Sequence, residues 1–298
     1  MLRGGLGLVK YYGIMKGYPR LKKFGRLVDY IVLLRPFTLL APILAGVFLT
    51  IAPTEVTYHT LTTSIYVGIT LALAQACGQT VNQVIDVEID RITKPYRPIP
   101  SGKVSREEAL GISYLLAIAC IGRAFTVSIN FGILTLLMLF FAVFYSLPQL
   151  TPRRNAFISL TWMSFSRGFI PPIACFSVYG NIYEALPYSL LSFIWCLGWQ
   201  CTKDIPDVEA DKKYGVKTLA NTYGVRWMKV YTAVLTTVFF ITAFLLGKYI
   251  YFILFPLSVY GLGYYEVKAG VTENTRGWTV FYIGLGLTFL LALVDFKL

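Results

Sequence analysis

Acidic residues and histidine are scarce in this 298-residue chain, which has 15 Asp and Glu against 27 Lys and Arg, and one His. With 14% charged residues, the composition excludes an ordinary soluble domain. His59, in a short loop between apolar segments, is interpreted as an exposed polar residue. The few cysteines form no CxxC pair, so the sequence indicates neither a disulfide framework nor a zinc site. They lie in or beside apolar segments and are predicted to be small buried hydrophobes: Cys77, Cys120, Cys175, Cys196 and Cys201.

Long apolar segments dominate instead: 56% of residues are hydrophobic and the mean hydropathy is +0.63. Because a helix needs about 20 mostly apolar residues to cross a bilayer, we predict an all-α polytopic membrane protein. Its nine predicted spans are 28–51, 62–85, 107–126, 129–147, 157–179, 186–203, 228–247, 249–268 and 278–296. The spans form one predicted domain, 28–298, preceded by a basic interfacial segment, 1–27.

The basic residues predict the orientation of these spans. They concentrate in the N-terminal arm and in alternate loops, whereas the opposite loops 52–61, 127–129 and 180–185 contain none. By the positive-inside rule, the N-terminus is cytoplasmic and the C-terminus lies outside. The same distribution argues against nucleic acid as a partner, since the basic residues sit in short loops of a protein embedded in the lipid bilayer.

Two acidic clusters each follow directly on an apolar segment, and both are predicted to face the cytoplasm. Their members are Asn82, Asp86 and Asp90 in the first cluster and Asp204, Asp207 and Asp211 in the second. A spacing of four residues places side chains on one face of a helix. Mg²⁺ prefers oxygen ligands, typically carboxylates with phosphate oxygens and water. The clusters therefore predict a magnesium-diphosphate site; the alternative is that they are solvated anchors or salt-bridge partners of nearby basic residues.

The loop after the first cluster is stiff and basic. Three prolines between residues 95 and 100 exclude a regular helix there, and Ser105 with Glu108 predicts a capping box at the start of the next span. Basic side chains on this loop suit direct contact with phosphate. In the second cluster, Pro206 is predicted near a helix start, where an aspartate is a candidate cap.

Both clusters resemble the aspartate motifs of the UbiA family of intramembrane prenyltransferases. "NQVIDVEIDRITKPYRPIPSGKVS" resembles the first motif with its loop, and "KDIPDVEADKKYGVKTLA" resembles the second. The resemblance extends through Arg35-Pro36 and "YSLPQLTPRR", so it covers most of the chain. It implies nine helices around a central cavity, with a cytoplasmic cap formed by the two motif loops.

The resemblance also implies the roles of individual residues. Two Mg²⁺ ions would be bound by Asn82, Asp86, Asp90, Asp204, Asp207 and Asp211, of which Asp86, Asp90, Asp207 and Asp211 are the catalytic set. The donor diphosphate would be contacted by Lys94, Arg97, Tyr145, Arg153 and Lys203. This chain departs from the common pattern at Gln83, where many members have Asp, and at Ala210, where Gly is common; neither removes a proposed ligand. The basic residue after Tyr145 is often Lys in the family but is Arg here.

The implied reaction is ionisation of an allylic isoprenyl diphosphate, of geranyl length or longer, and capture of the allylic cation by an acceptor. An aromatic quinone precursor is the first acceptor hypothesis, and a prenylated glycerol phosphate, as in archaeal ether-lipid synthesis, is the alternative. Arg35 and Arg167 lie inside predicted spans, and charges there are functional by default. Each is a candidate either to orient the acceptor or the diphosphate, or to make an interhelical hydrogen bond.

Two other protein classes compete with this interpretation. A cation transporter would place its acids near mid-membrane on broken helices, whereas here they lie at the ends of predicted spans beside basic loops. A CDP-alcohol phosphotransferase also has membrane-edge aspartates, but its preceding Asp-Gly and Ala-Arg elements are absent from this sequence.

Overall fold

The computed structural model describes residues 25–147, 152–263, 267–268, 271–272 and 275–298. Nearly all of the predicted segment 1–27 therefore lies outside the described residues. The α-helices, numbered α1 to α14 in chain order, are Arg26–Leu33, Leu40–Ile51, Tyr58–Ile85, Val87–Thr93, Arg106–Val127, Ile129–Phe144, Ala156–Ser164, Ile170–Phe176, Leu186–Trp199, Val208–Lys213, Leu219–Tyr223, Val225–Leu245, Phe255–Leu262 and Thr275–Lys297.

Shorter elements connect several of these helices. The 3₁₀ segments are Pro36–Leu39, Pro152–Arg154, Ile182–Ala185, Gln200–Asp207 and Tyr249–Leu254, and a π-helical turn, Phe165–Phe169, joins α7 to α8. The two-residue strands β1 (Val267–Lys268) and β2 (Val271–Thr272) pair in antiparallel fashion. Helix thus accounts for nearly all regular structure in the described residues, as predicted.

Each of the nine predicted spans contains helical residues of the described chain, but the helices are not equally long. By length and composition, four helices of the described chain qualify as membrane spans: α3, α5, α12 and α14. A fifth is obtained if α1 and Pro36–Ile51, bent by 46°, count as one span. The chain is therefore an integral membrane protein with several helices able to cross the bilayer.

Several predicted boundaries differ from the observed helix ends by a few residues, as at the ends of the eighth and fourth segments. The eighth segment was predicted to run to residue 268, but α13 ends at Leu262, is closed by Gly263, and is followed by the strand pair. The fourth was predicted to reach residue 147, but α6 ends at Phe144. Hydropathy shows that a segment is apolar, but it does not show where the chain changes direction within that segment.

Small residues let the longest helices approach closely. At Gly46 on α2, an added Cβ would lie 2.2 Å from the Cα of Gly68 on α3. At Gly284 on α14, it would lie 1.8 Å from the indole ring of Trp195, one of the largest fully buried side chains. Such contacts are typical of helix packing in membranes, where van der Waals fit replaces the hydrophobic effect.

Two local predictions are confirmed and a third is confirmed in part. Ser105 and Glu108 form the reciprocal capping box at the start of α5. All five cysteines are free and buried. His59 is exposed, but it lies in the first turn of α3 and not in a loop.

Candidate active site

The first acidic cluster lies where α3 passes into α4. The helix does not continue as predicted, because Asp86 occupies a break with φ −88° and ψ 16°. Nevertheless the amide of Asp86 donates to the carbonyl of Asn82 (2.9 Å), and the amide of Asp90 donates to the carbonyl of Asp86 (2.8 Å). The four-residue hydrogen-bond pattern therefore crosses the break, and the three side chains remain close to one stripe.

The second acidic cluster lies on the 3₁₀ segment Gln200–Asp207 and on α10. Pro206 falls inside the 3₁₀ segment rather than at the first position of an α-helix. Asp207 occupies the N-cap position of α10 but makes no capping hydrogen bond with its side chain, so the predicted aspartate cap is wrong. Its carboxylate is engaged elsewhere.

Lys94 joins the two clusters. Its ammonium group donates hydrogen bonds to both carboxylate oxygens of Asp207 and lies 3.9 Å from a carboxylate oxygen of Asp90. The helices that carry these residues, α4 and α10, also contact each other. Two motifs far apart in the sequence thus meet at a single place.

Two arginines pair with the remaining carboxylates of the first cluster. Arg153 donates to Asp86 at 2.6 Å, and Arg97 forms an ion pair with Asp90. Both guanidinium side chains are almost fully buried, and the Nη2 atom of Arg153 has no hydrogen-bond partner in the described structure. Asp86, Asp90 and Asp207 are therefore all in salt bridges with basic residues, which is the alternative that the sequence left open.

The second cluster is less well neutralised. Asp204 lies 3.8 Å from the ammonium group of Lys203, whereas Asp211, only 7% exposed, makes no ion pair with any described residue. Burial, followed by the neighbouring Asp204 and Asp207 carboxylates, raises the pKa of Asp211 to about 8. Burial is also the main reason why the pKa of Asp204 is raised. Buried like charges of this kind favour the arrival of a cation.

The donor chemistry at this place fits Mg²⁺. Among the described residues, no group of three acidic, histidine or cysteine side chains is arranged to hold an ion. Lys94, Arg97 and Arg153 form ion pairs with the carboxylates instead. The cluster nevertheless offers only oxygen ligands, the kind that Mg²⁺ prefers. Asn82 donates its amide N–H groups to Asp86 (2.7 Å) and Ser146 (3.1 Å), which leaves its amide oxygen for a cation.

Tyr145 organises the neighbouring basic groups. The guanidinium of Arg153 and the ammonium of Lys203 lie 4.9 Å and 5.5 Å from the centre of its ring. Its hydroxyl is 3.3 Å from that of Ser159. These cation–π contacts place two cations beside one aromatic ring.

A cavity continues from the cluster into the helices. Its volume is about 90 Å³, and it is bordered by α3, α6, the π-helical turn and α14. The predicted site residues that line it are Arg35, Asn82, Tyr145, Arg167 and Lys203. Arg35 has a left-handed backbone conformation (φ 53°), which is unusual for a residue with a side chain and is found where surrounding structure enforces it.

Comparison with known proteins agrees with this geometry. The sequence model of the UbiA prenyltransferase family matches residues 39–293. This chain belongs to the UbiA prenyltransferase family. It is accordingly an enzyme that transfers prenyl groups, as the sequence resemblance implies.

Individual relatives carry different enzyme names. A digeranylgeranylglyceryl phosphate synthase of Methanosphaera stadtmanae is 32% identical over 66% of this chain and 70% of its own length. A probable chloroplastic homogentisate phytyltransferase 2 of Oryza sativa is 33% identical, over 52% of this chain and 44% of that protein. Among solved structures, a UbiA homologue from Archaeoglobus fulgidus bound to GPP and Mg²⁺ shares the fold, with a TM-score of 0.64 at 17% identity, covering 91% of this chain and all of that one.

Two lining residues of this UbiA-family enzyme were missed from the sequence. Gln75 and Gln79 lie about two turns and one turn, respectively, before Asn82 on α3, are buried, and border the cavity. Gln79 accepts a hydrogen bond from Thr38 (2.7 Å), and Gln75 donates to the carbonyl of Thr38 (2.6 Å). They could have been identified from the sequence, because two amide side chains four residues apart inside an apolar span are costly unless they have a specific role.

Proposed function

We propose that this prenyltransferase moves an isoprenyl chain from an allylic isoprenyl diphosphate to a prenylated glycerol phosphate, as the name digeranylgeranylglyceryl phosphate synthase implies for its relatives. The observation that carries the proposal is the position of Lys94 between Asp90 and Asp207. One diphosphate can then be reached from both motifs at once. The relatives favour this lipid acceptor over the aromatic acceptor that came first in the sequence analysis.

The metal ligands in this proposal are the residues of the two clusters. Asn82, Asp86 and Asp90 would hold one Mg²⁺, and Asp207 and Asp211, with Asp204 nearby, would hold a second. Bound Mg²⁺ would supply Lewis-acid neutralisation of the departing diphosphate. The GPP and Mg²⁺ bound in the Archaeoglobus structure support this assignment.

The basic residues bind the diphosphate and stabilise it as it leaves. Lys94, Arg97 and Arg153 each exchange a carboxylate partner for phosphate oxygens, and Tyr145 holds Arg153 and Lys203 towards the same place. The buried Nη2 group of Arg153, which has no hydrogen-bond partner in the described structure, donates a hydrogen bond to the phosphate. Preorganised donors stabilise developing negative charge strongly in a site of low dielectric constant.

The bond changes follow directly. The bond between the allylic carbon and the diphosphate oxygen breaks, and its electron pair leaves with the diphosphate. A hydroxyl oxygen of the acceptor then forms the new bond to that carbon, and its proton is lost. The aromatic rings of Tyr145, Trp278 and Tyr282 border the cavity, where they exclude water and present their faces to the allylic cation.

The proposed architecture is a single domain, 28–298, of nine spans around this cavity, with the two motif loops as a cytoplasmic cap. A membrane-impermeant thiol reagent tests the orientation. It should label Ser101→Cys only from the cytoplasmic side and His59→Cys only from outside, since both positions are exposed and the native cysteines are buried. Labelling of both from one side would contradict the proposed topology.

The activity test uses the full chain purified in detergent. With geranylgeranyl diphosphate and geranylgeranylglyceryl phosphate, we expect Mg²⁺-dependent release of diphosphate and an ether-linked product, both abolished by EDTA. Absence of transfer from geranyl, farnesyl and geranylgeranyl donors alike would refute the proposal.

An aromatic acceptor is the second candidate, because the relative from Oryza sativa is named for homogentisate. Replacing the lipid acceptor by homogentisate in the same assay separates the two. The acceptor with the higher kcat/KM identifies the reaction.

A further inference from the structure

The cavity below the carboxylate clusters is lined by positive charge alone. Arg35, Arg167 and Lys203 border it, and no acidic residue is among its described lining residues. Lys203 is close to Asp204, at 3.8 Å. The side chain of Arg167, by contrast, makes no ion pair and no hydrogen bond with any residue in the described part of the chain. An unneutralised charge inside a membrane protein is costly, so its presence points to an anionic ligand.

The backbone around Arg167 is irregular and firmly held. The residue lies in the π-helical turn Phe165–Phe169, and such turns are frequent at functional sites. Next to it, the carbonyl of Gly168 accepts a hydrogen bond from Ser192 (2.7 Å), and a Cβ at Gly168 would lie only 2.5 Å from the carbonyl oxygen of Ser192. The turn is thus clamped against α9, which holds the guanidinium at the cavity.

The donor diphosphate already has its own basic partners. Lys94, Arg97 and Arg153 are all paired with motif carboxylates, and none of the three is among the lining residues of the cavity. Arg167 forms no such pair with a carboxylate of the described residues. Its position suits a second anion, distinct from the diphosphate.

We propose that Arg167 binds the anionic group of the acceptor, a phosphate monoester or a carboxylate, and so selects acceptors that carry one. This inference rests on the proposed function and deepens it. Arg167 then distinguishes an anionic acceptor from a neutral molecule of the same shape.

The test compares matched acceptors in matched variants. Geranylgeranylglyceryl phosphate is paired with geranylgeranylglycerol, and homogentisate with methylhydroquinone, which lacks only the carboxylate. The variants are Arg167→Gln and Arg167→Lys. The control is Arg123→Gln, since Arg123 is also an intramembrane arginine but donates to the carbonyl of Tyr66 (3.1 Å) and the hydroxyl of Thr70 (3.2 Å), outside the cavity lining.

Two readouts are measured for each variant. One is the set of KM values for donor and acceptor with kcat. The other is the shift in thermal unfolding caused by acceptor alone, without donor or Mg²⁺. We expect Arg167→Gln to raise KM for the anionic acceptor by about 10- to 100-fold, as loss of a hydrogen bond to a charged group predicts.

The pattern across variants decides the inference. KM for the donor should change by less than about threefold, the neutral acceptors should bind the Arg167→Gln variant and the wild type equally, and Arg167→Lys should restore part of the preference. Arg123→Gln should retain the wild-type preference. The inference is overturned if Arg167→Gln keeps that preference, or if it raises KM for donor and acceptor together.

Failure of the proposed function would look different. Wild-type enzyme that transfers to neither acceptor refutes the reaction, and the thermal shifts then judge the inference alone. A shift by the anionic acceptor that Arg167→Gln abolishes supports it, and an equal shift in both proteins overturns it. The enzyme is compared on the phosphate pair and on the carboxylate pair of acceptors. The pair in which it prefers the anionic member more strongly shows whether phosphate or carboxylate is the natural anionic group.

Discussion

The contact between Lys94 and Asp207 can be measured as a coupling energy. The two residues belong to different motifs, and each side chain is 18% exposed in the ion pair. Lys94→Met and Asp207→Asn each remove one charge and leave the other buried. The double variant removes both charges and leaves no unpaired partner from this contact.

The expected magnitude follows from that burial. Breaking a buried pair by removing one partner costs about 3 kcal/mol, the low end of the usual range because both groups keep some contact with solvent. The double variant should lose no more than about 3 kcal/mol, because exchanging a whole pair is far cheaper than breaking it. The coupling is then at least about 3 kcal/mol, within the span measured for close charge pairs.

The assay is thermal unfolding in detergent with EDTA, so that the ion pairs are kept. At about 2 °C per kcal/mol for a large domain, each single variant should unfold ~6 °C below the wild type. The double variant should fall no further than either single one. Losses that add to within about 0.5 kcal/mol would refute the contact, and with it the meeting of the two motifs.

An exposed pair on α4 provides the control. Arg91 and Glu88 form an ion pair with side chains 59% and 48% exposed. The cycle Arg91→Met and Glu88→Gln should show a coupling below about 0.5 kcal/mol, because solvent screens such pairs. A coupling as large as that of Lys94 and Asp207 would show that the assay reports something other than buried contacts.

Three further predictions test the site and the packing. Asp86→Ala and Asp207→Ala should each abolish Mg²⁺-dependent diphosphate release yet leave the protein in the membrane fraction, and a wild-type rate in either would disprove its role as a ligand. Ser105→Ala should lower the free energy of unfolding by about 1 kcal/mol through loss of the capping box, measured by chemical denaturation, with turnover unchanged. Gly46→Ala should cost about 1–3 kcal/mol, because its Cβ would lie 2.2 Å from the backbone of α3. Gly122→Ala, with no atom within 4 Å of its Cβ, should cost nothing, and equal losses at the two glycines would contradict the close approach.

Short-range features were predictable from the sequence. Hydropathy located the helical segments, and the Ser105 and Glu108 pair identified the start of α5. Residue spacing placed Asn82, Asp86 and Asp90 on one stripe, although the break at Asp86 was not foreseen. Each of these depends on residues within a few turns of one another, so local chemistry suffices to recognise them.

The partners of the acidic side chains were not predictable in this way. An aspartate near Pro206 was a candidate cap, but Asp207, at the N-cap position of α10, instead pairs with Lys94, which is 113 positions away. A cap is a local choice, whereas an ion pair depends on which helices pack together. Asp207 pairs with Lys94 because α4 and α10 are in contact in the folded protein.

By itself, the sequence determined that this chain is an all-helical membrane protein with two sets of carboxylates able to hold a cation, because hydropathy and residue spacing act along the chain. Only the tertiary structure decided that the two sets meet, that three of the carboxylates are held by Lys94, Arg97 and Arg153, and that Arg167 borders the same cavity. Those facts depend on distances between segments that are remote in the chain, and packing of the helices alone sets such distances.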